Sequence, residues 1–158
     1  MRYGLSFISA MHSILIILLI IISFIDLKHK IIPDGLNLVG IVIGVALIIY
    51  EKASVSDSLI GLAAGAGIFS IIAITTNAMG GGDIKLMAVL GFIFGVKGVL
   101  FITLFSFVSG AVISAILLSL KVKNRKDEIS FGPFISFSAV LYIIYGSEII
   151  NWYLKTLF

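Results

Sequence analysis

In this chain of 158 residues, 60% of the residues are apolar, 12% are charged and the mean hydropathy is +1.23. A soluble domain is about one-quarter charged, so a water-soluble fold is excluded. The chain has no cysteine, which excludes disulfides, thiolate metal sites and a cysteine nucleophile. Its formal charge of +3 comes from basic residues at the ends of apolar runs, a pattern suited to lipid headgroups and not to nucleic acid.

The apolar residues fall into six runs, which predict an all-α, polytopic membrane helix bundle forming one domain over residues 1–158. The first span, 6–25, follows Arg2 and ends at Asp26-Leu27-Lys28. It lacks a small-residue cleavage pattern, so it is expected to be a retained helix and not a signal peptide. Pro33 interrupts the chain before the second span, 35–50. The third span is 57–77, and the run Gly80-Gly81-Gly82-Asp83 opens the fourth, 83–96. The fifth is 98–120, and Gly132-Pro133 opens the sixth, 132–154, where Trp152 and Tyr153 are expected as interfacial anchors. The second and fourth spans are short for a bilayer, which calls for tilt or local thinning. Three glycine pairs spaced by four, Gly40 and Gly44, Gly61 and Gly65, Gly91 and Gly95, each predict a helix face that a neighbouring backbone approaches closely.

With the loops 26–34, 78–85 and 121–130 on one face, that face collects Lys28, Lys30, Lys85, Lys121, Lys123, Arg125 and Lys126. Arg2, Lys52, Lys97 and Lys155 remain on the other. The positive-inside rule then makes the first face cytoplasmic and puts both termini outside.

Most of the acidic residues, namely Glu51, Asp57, Asp127, Glu128 and Glu148, fall in loops or near span ends, where water solvates them. Asp26, Asp34 and Asp83 differ, because each abuts an apolar run on the same predicted face. Carboxylates so placed are costly and tend to be functional, although interfacial anchoring is the plain alternative. The three glycines before Asp83 leave a backbone bare of side chains, against which an extended peptide could lie. The run lacks the spacing of a phosphate-binding loop. His29 with Asp26 and Asp34 is short of ligands for a metal site, and His12, fourteen residues before Asp26, is too distant to partner it.

Asp26-Leu27-Lys28-His29-Lys30-Ile31-Ile32-Pro33-Asp34, then Gly80-Gly81-Gly82-Asp83-Ile84-Lys85-Leu86, then Phe131-Gly132-Pro133-Phe134, resemble the type IV prepilin peptidases of bacteria and the preflagellin peptidases of archaea. The resemblance covers nearly the whole chain. It implies an intramembrane aspartic endopeptidase with Asp26 and Asp83 as the catalytic pair and no cofactor or metal. Asp34, Gly80, Gly81, Gly82, Lys85, Gly132 and Pro133 would support the site or bind substrate. The implied partner is a pilin-like or archaellin-like precursor with a short basic leader, cut at the cytoplasmic face just before an apolar helix. The longer bacterial members carry a cysteine cluster and also methylate the new N-terminus; with no cysteine here, methyltransferase activity is not expected.

Two carboxylates in one site hold one proton between them, so one activates water while the other donates. Asp83 begins a helix and Asp26 ends one, so the helix dipoles favour Asp83 as the base and Asp26 as the acid. The competing reading from another class is an ion or small-solute transporter with an aspartate relay. A relay would place its acids near the midplane, whereas these three lie at one face.

Overall fold

The computed structural model describes residues 5–76, 79–121 and 129–157, with 5–6, 147 and 149–157 as backbone only. The expected positions of Lys123, Arg125, Lys126, Asp127 and Glu128, and of the Trp152 and Tyr153 side chains, lie outside the described residues. Five helices follow in order: α1 (Leu5–His29), α2 (Asp34–Glu51), α3 (Val55–Thr76), α4 (Gly81–Ser119) and α5 (Gly132–Leu157). There is no strand among the described residues.

The punctuation of these helices is local chemistry. Pro33, at φ −63° and ψ 134°, is the N-cap of α2; its extended backbone starts the helix at Asp34. Lys30 and Lys52 directly follow the last residues of α1 and α2 and adopt left-handed φ of 55° and 53°, which stops each helix.

The fourth and fifth expected spans are one helix by hydrogen bonding, but α4 breaks at Gly95, where φ is 66° and ψ is −169°. A Cβ added to Gly91 would lie 2.8 Å from the Val99 side chain. Along an unbroken helix those residues would stand about 12 Å apart, so the chain doubles back at Gly95. Residues 81–94 and 96–119 therefore form the two arms of a hairpin, which restores six helical segments. Only glycine suits the bend, because any side chain there would strain the backbone and run into the Asp57 carboxylate.

Polarity is inverted relative to a soluble bundle. Phe24, Ile49 and Ile74 are at least 70% exposed, while Asp26, Asn37, Ser58, Asp83, Ser106, Ser136 and Ser138 are buried. Among the described residues four helices, with α4 counted once, are long and apolar enough to cross a membrane, and Gly132–Gly146 of α5 is a shorter apolar stretch. The close backbone approach that the glycine spacing predicts occurs at Gly61, Gly65 and Gly91, whereas Gly40 and Gly44 meet side chains and Gly95 forms the bend in place of a packing face. Gly61 and Gly65 of α3 press on the α4 backbone at the Gly91 and Met87 carbonyls, and Gly40 and Gly44 of α2 receive Val89 and Ile93 of α4. Around these contacts Leu15, Leu19, Ile22, Phe69, Leu90, Ile102 and Ile135 form the core.

Candidate active site

The two aspartates are buried because each occupies the last place in a stripe of core residues. Along α1 one buried stripe runs through Leu15, Leu19, Ile22 and Asp26, and along the first arm of α4 one runs through Leu90, Met87 and Asp83. Spacings of three and four keep each set on one helix face, so the stripe that anchors the helix in the core also carries its carboxylate inward. Asp26 is 4% exposed and Asp83 is 7% exposed.

Three chain segments close around the pair. The 30–34 segment meets the start of α4 where a Cβ on Gly82 would stand 2.9 Å from the Cβ of Ile32. Nearby, the Lys85 ammonium donates to both oxygens of Asp34 at 2.7 and 2.9 Å. From the other side, the Ser130 hydroxyl donates to the Asp26 carbonyl oxygen at 2.9 Å, and the Gly132 N–H donates to Asp26 Oδ2 at 2.9 Å. The described flanks of the three loops expected on one face therefore converge at one end of the bundle. Asp26 of α1 and Asp83 of α4 both lie at this end, each beside one of these contacts.

Each carboxylate uses one oxygen as a helix cap. Asp83 is the third residue of α4, and its Oδ2 accepts the N–H of the N-cap Gly80 at 3.2 Å, the acidic half of a capping box. Asp26 Oδ2 caps α5 through Gly132, the first residue of that helix. The dipole argument that separated the two acids is thereby weakened: Asp26 lies in the last turn of α1 but also faces the positive end of α5. Capping leaves one thing over. Asp83 Oδ1 is buried with no hydrogen-bond partner among the described residues. A polar atom in that state is costly, and beside a second acid it is chemically available.

The other expected residues take distinct places. The glycine run is not a uniform bare strip: Gly82 is pressed on Ile32, Gly80 is tied to Asp83, and only Gly81 has nothing within 4 Å of an added Cβ. Gly132 has no room for a side chain, since its Cβ would come within 2.7 Å of Asp26 Oδ2. Pro133 is the second residue of α5, where a missing N–H costs nothing. His29 is exposed in the last turn of α1. Among the described residues, no three His, Asp or Glu side chains gather as metal ligands would. Sequence reasoning met Ile32 only as part of the motif that ends at Asp34, without a role of its own, and passed over Ser130, whose only signal was its place two residues before Gly132.

Residues 13–115 match the model of the type IV leader peptidase family. The chain belongs to the type IV leader peptidase family. The matched region holds Asp26, Asp34, Gly80, Gly81, Gly82, Asp83 and Lys85, while Gly132 and Pro133 lie beyond it. Among similar proteins, a prepilin leader peptidase/N-methyltransferase of Legionella pneumophila is 35% identical over 147 residues, covering 87% of this chain and 50% of that protein. One of the same description from Bacillus subtilis is 33% identical over 98% of this chain and 63% of its own length. A third, from Xanthomonas campestris, is 32% identical over 87% of this chain and 50% of its own. The chain thus spans about half to 63% of these relatives. No solved structure is a significant match. Family membership and the apolar helices together make this leader peptidase relative a multi-pass membrane protein.

Proposed function

We propose that this chain is a membrane aspartic endopeptidase that removes the leader from type IV pilin-like or archaellin-like precursors, with Asp26 and Asp83 as its catalytic pair. The observation that carries the reading is the burial of two acids from different helices at one end of the bundle, one of them with a free oxygen. The names of the similar proteins supply the class of substrate, and the proposal is confined to the peptidase half of those names.

In the reaction, one carboxylate takes a proton from water as the hydroxide oxygen adds to the scissile carbonyl carbon, and the protonated partner donates to the carbonyl oxygen. Collapse of the tetrahedral species breaks the C–N bond: the leaving nitrogen takes the proton gained by the base, and one hydroxyl of the diol returns its proton to the carboxylate that had donated, which re-forms the C=O bond and restores the singly protonated pair. Asp83, with its unpartnered Oδ1, suits the base, and Asp26 the acid. The two titrate as a unit, so the assignment describes a resting state and not two independent groups. Gly80 and Gly132 fix the carboxylates, Gly82 with Ile32 and Lys85 with Asp34 fix the segments that carry them, Gly81 leaves backbone open to a peptide, and Pro133 starts α5 beside the pair.

The scissile bond would lie at the cytoplasmic face, with both termini outside. The basic residues at the converging end support this orientation. Reporter fusions after Lys30 and after Arg125 should report cytoplasm, and one after Lys52 the outside. The central test is cleavage of a co-expressed precursor: Asp26→Asn and Asp83→Asn should each abolish it with the protein still present in the membrane, and chelators should have no effect. Substantial cleavage by Asp83→Asn would end the assignment. The competing relay reading predicts ion flux instead, and it is disfavoured because both acids lie at helix ends and not at mid-span.

A further inference from the structure

Where a membrane-embedded substrate lies while its bond is cut is a separate question, and its answer rests on the peptidase reading above. Two apolar grooves on the bundle compete. One, of about 370 Å³, runs between α1 and α5. The other, of about 490 Å³, lies between α2 and α4, with Asp34 and Lys85 at its wall and the partnerless amide of Asn37 beside them.

Position relative to the acids separates them. The mouth of the α1–α5 groove is formed by Leu27 and Pro133, the residues that directly follow Asp26 and Gly132. The groove then follows α1 back to Ile16, about 16 Å at 1.5 Å per residue, which is three turns of a docked helix. The α2–α4 groove instead adjoins Lys85, two residues and about 200° around α4 from Asp83, so it faces away from the buried carboxylate.

The floor of the first groove holds a second clue. Ser136 is 2% exposed, lines the groove, and has no hydrogen-bond partner among the described residues. Ser23, Ser106 and Ser109 dispose of this cost by turning back on the carbonyl four residues earlier, at 2.9, 2.6 and 2.7 Å. Ser136 and Ser138 of α5 do not, and of these two it is Ser136 that lines the groove. It lies four residues beyond Gly132, about 6 Å further along α5. A helix entering from the mouth brings free backbone N–H groups in its first turn, and a serine oxygen is a natural acceptor for them.

We propose that the α1–α5 groove is the seat of the substrate's apolar helix, which starts at Leu27 and Pro133, lies between the rims Phe24 and Phe137, and bonds its first-turn N–H groups to the Ser136 hydroxyl. Lipid chains fill the groove between turnovers. The substrate helix reaches the acids from the side, through the bilayer, and needs no opening of the core.

The test uses the whole protein in nanodiscs and a fusion carrying the leader, scissile bond and apolar helix of a type IV prepilin ahead of a soluble reporter. With Asp83→Asn present, so that the fusion is not consumed, a photo-crosslinking residue is placed at Phe137, 54% exposed on the groove rim, or at Ile41 in the competing groove. Adduct from position 137 should exceed that from position 41 at least fivefold. No adduct from 137, the result of a groove that only lipid enters, or an equal or greater adduct from 41, overturns the proposal. Independently, Val140→Trp, which fills the groove, should raise KM for the fusion at least tenfold with kcat within threefold, and Ser136→Ala should raise KM severalfold. An unchanged KM in Val140→Trp also overturns it. If the wild-type protein cleaves no fusion, the peptidase reading fails, while the crosslinks still report where the helix docks.

Discussion

Two pairs of charged residues join the 26–34 segment to the start of α4, and they are opposites. Asp34 and Lys85 carry unlike charges, meet at 2.7 Å and stand mostly in the open, with side chains 73% and 57% exposed. Asp26 and Asp83 carry like charges and are nearly fully buried. An exposed ion pair contributes about 0–1 kcal/mol. Burying two neighbouring carboxylates works against folding, since each loses water and repels the other. The fold thus holds an unfavourable pair in place and sets a mildly favourable one two residues away on the same helix. The contrast separates a pair kept for chemistry from a pair kept for position.

The sharpest way to break this contrast is to neutralise the buried pair. Asp26→Asn and Asp83→Asn should each lower cleavage by about 10³-fold or more, because an amide can neither hold nor deliver the proton. Their melting temperatures should not fall. Asn keeps an oxygen for the Gly132 or Gly80 N–H and removes the repulsion. The double variant should be no less active than either single one, as expected of residues acting as a unit. A marked loss of stability in both single variants, followed by thermal unfolding in detergent, would mean that the acids serve as caps before they serve as catalysts.

The next effect should come from the glycines that set the spacing. Gly132→Ala places a Cβ 2.7 Å from Asp26 Oδ2, and the carboxylate must move. A displacement near 1 Å costs about 10²-fold in a site that depends on orientation, so cleavage should fall by roughly 10- to 100-fold. Gly82→Ala meets Ile32 at 2.9 Å and should cost about tenfold by the same route. Gly81→Ala meets nothing within 4 Å, and its melting temperature should not fall. Cleavage assays beside thermal melts decide each case. Equal stability losses at Gly81 and Gly82 would show that helix propensity at this terminus matters more than the fit against Ile32.

How much of this was legible in the sequence follows from the range of each signal. The six segments were legible because apolar runs and the glycine-flanked breaks are local. Even the hairpin in α4 was marked by Gly95 and by the division between 83–96 and 98–120. Asp26, Asp34, Asp83 and Lys85 stood out as polar residues against apolar runs. The partners of those residues did not. The Asp34–Lys85 pair spans 51 positions and the Asp26–Gly132 bond spans 106, and no periodicity reports contacts of that range. The dipole argument is weakened for this reason, since α5 caps Asp26 from outside its own helix. Ser136 was silent as well, because a serine in an apolar run looks alike whether its hydroxyl turns back on the helix or faces a groove.

The smallest expected effect belongs to the exposed pair. Lys85→Met or Asp34→Asn removes an ion pair worth about 0–1 kcal/mol, so the melting temperature should shift by only a few degrees. Cleavage should fall severalfold, because the 30–34 segment then loses its charged tie to the start of α4. If the pair acts only as a tie between segments, exchanging the charges in Asp34→Lys with Lys85→Asp should recover much of what either single change loses. Screening distinguishes this pair from the buried one. Raising salt weakens an exposed tie and leaves a buried pair nearly untouched, so added salt should lower wild-type cleavage slightly and leave the Lys85→Met variant unchanged. If Lys85→Met loses as much activity as Asp83→Asn, and the exchanged variant does not recover, then Lys85 touches the substrate and the contrast between the two pairs is lost.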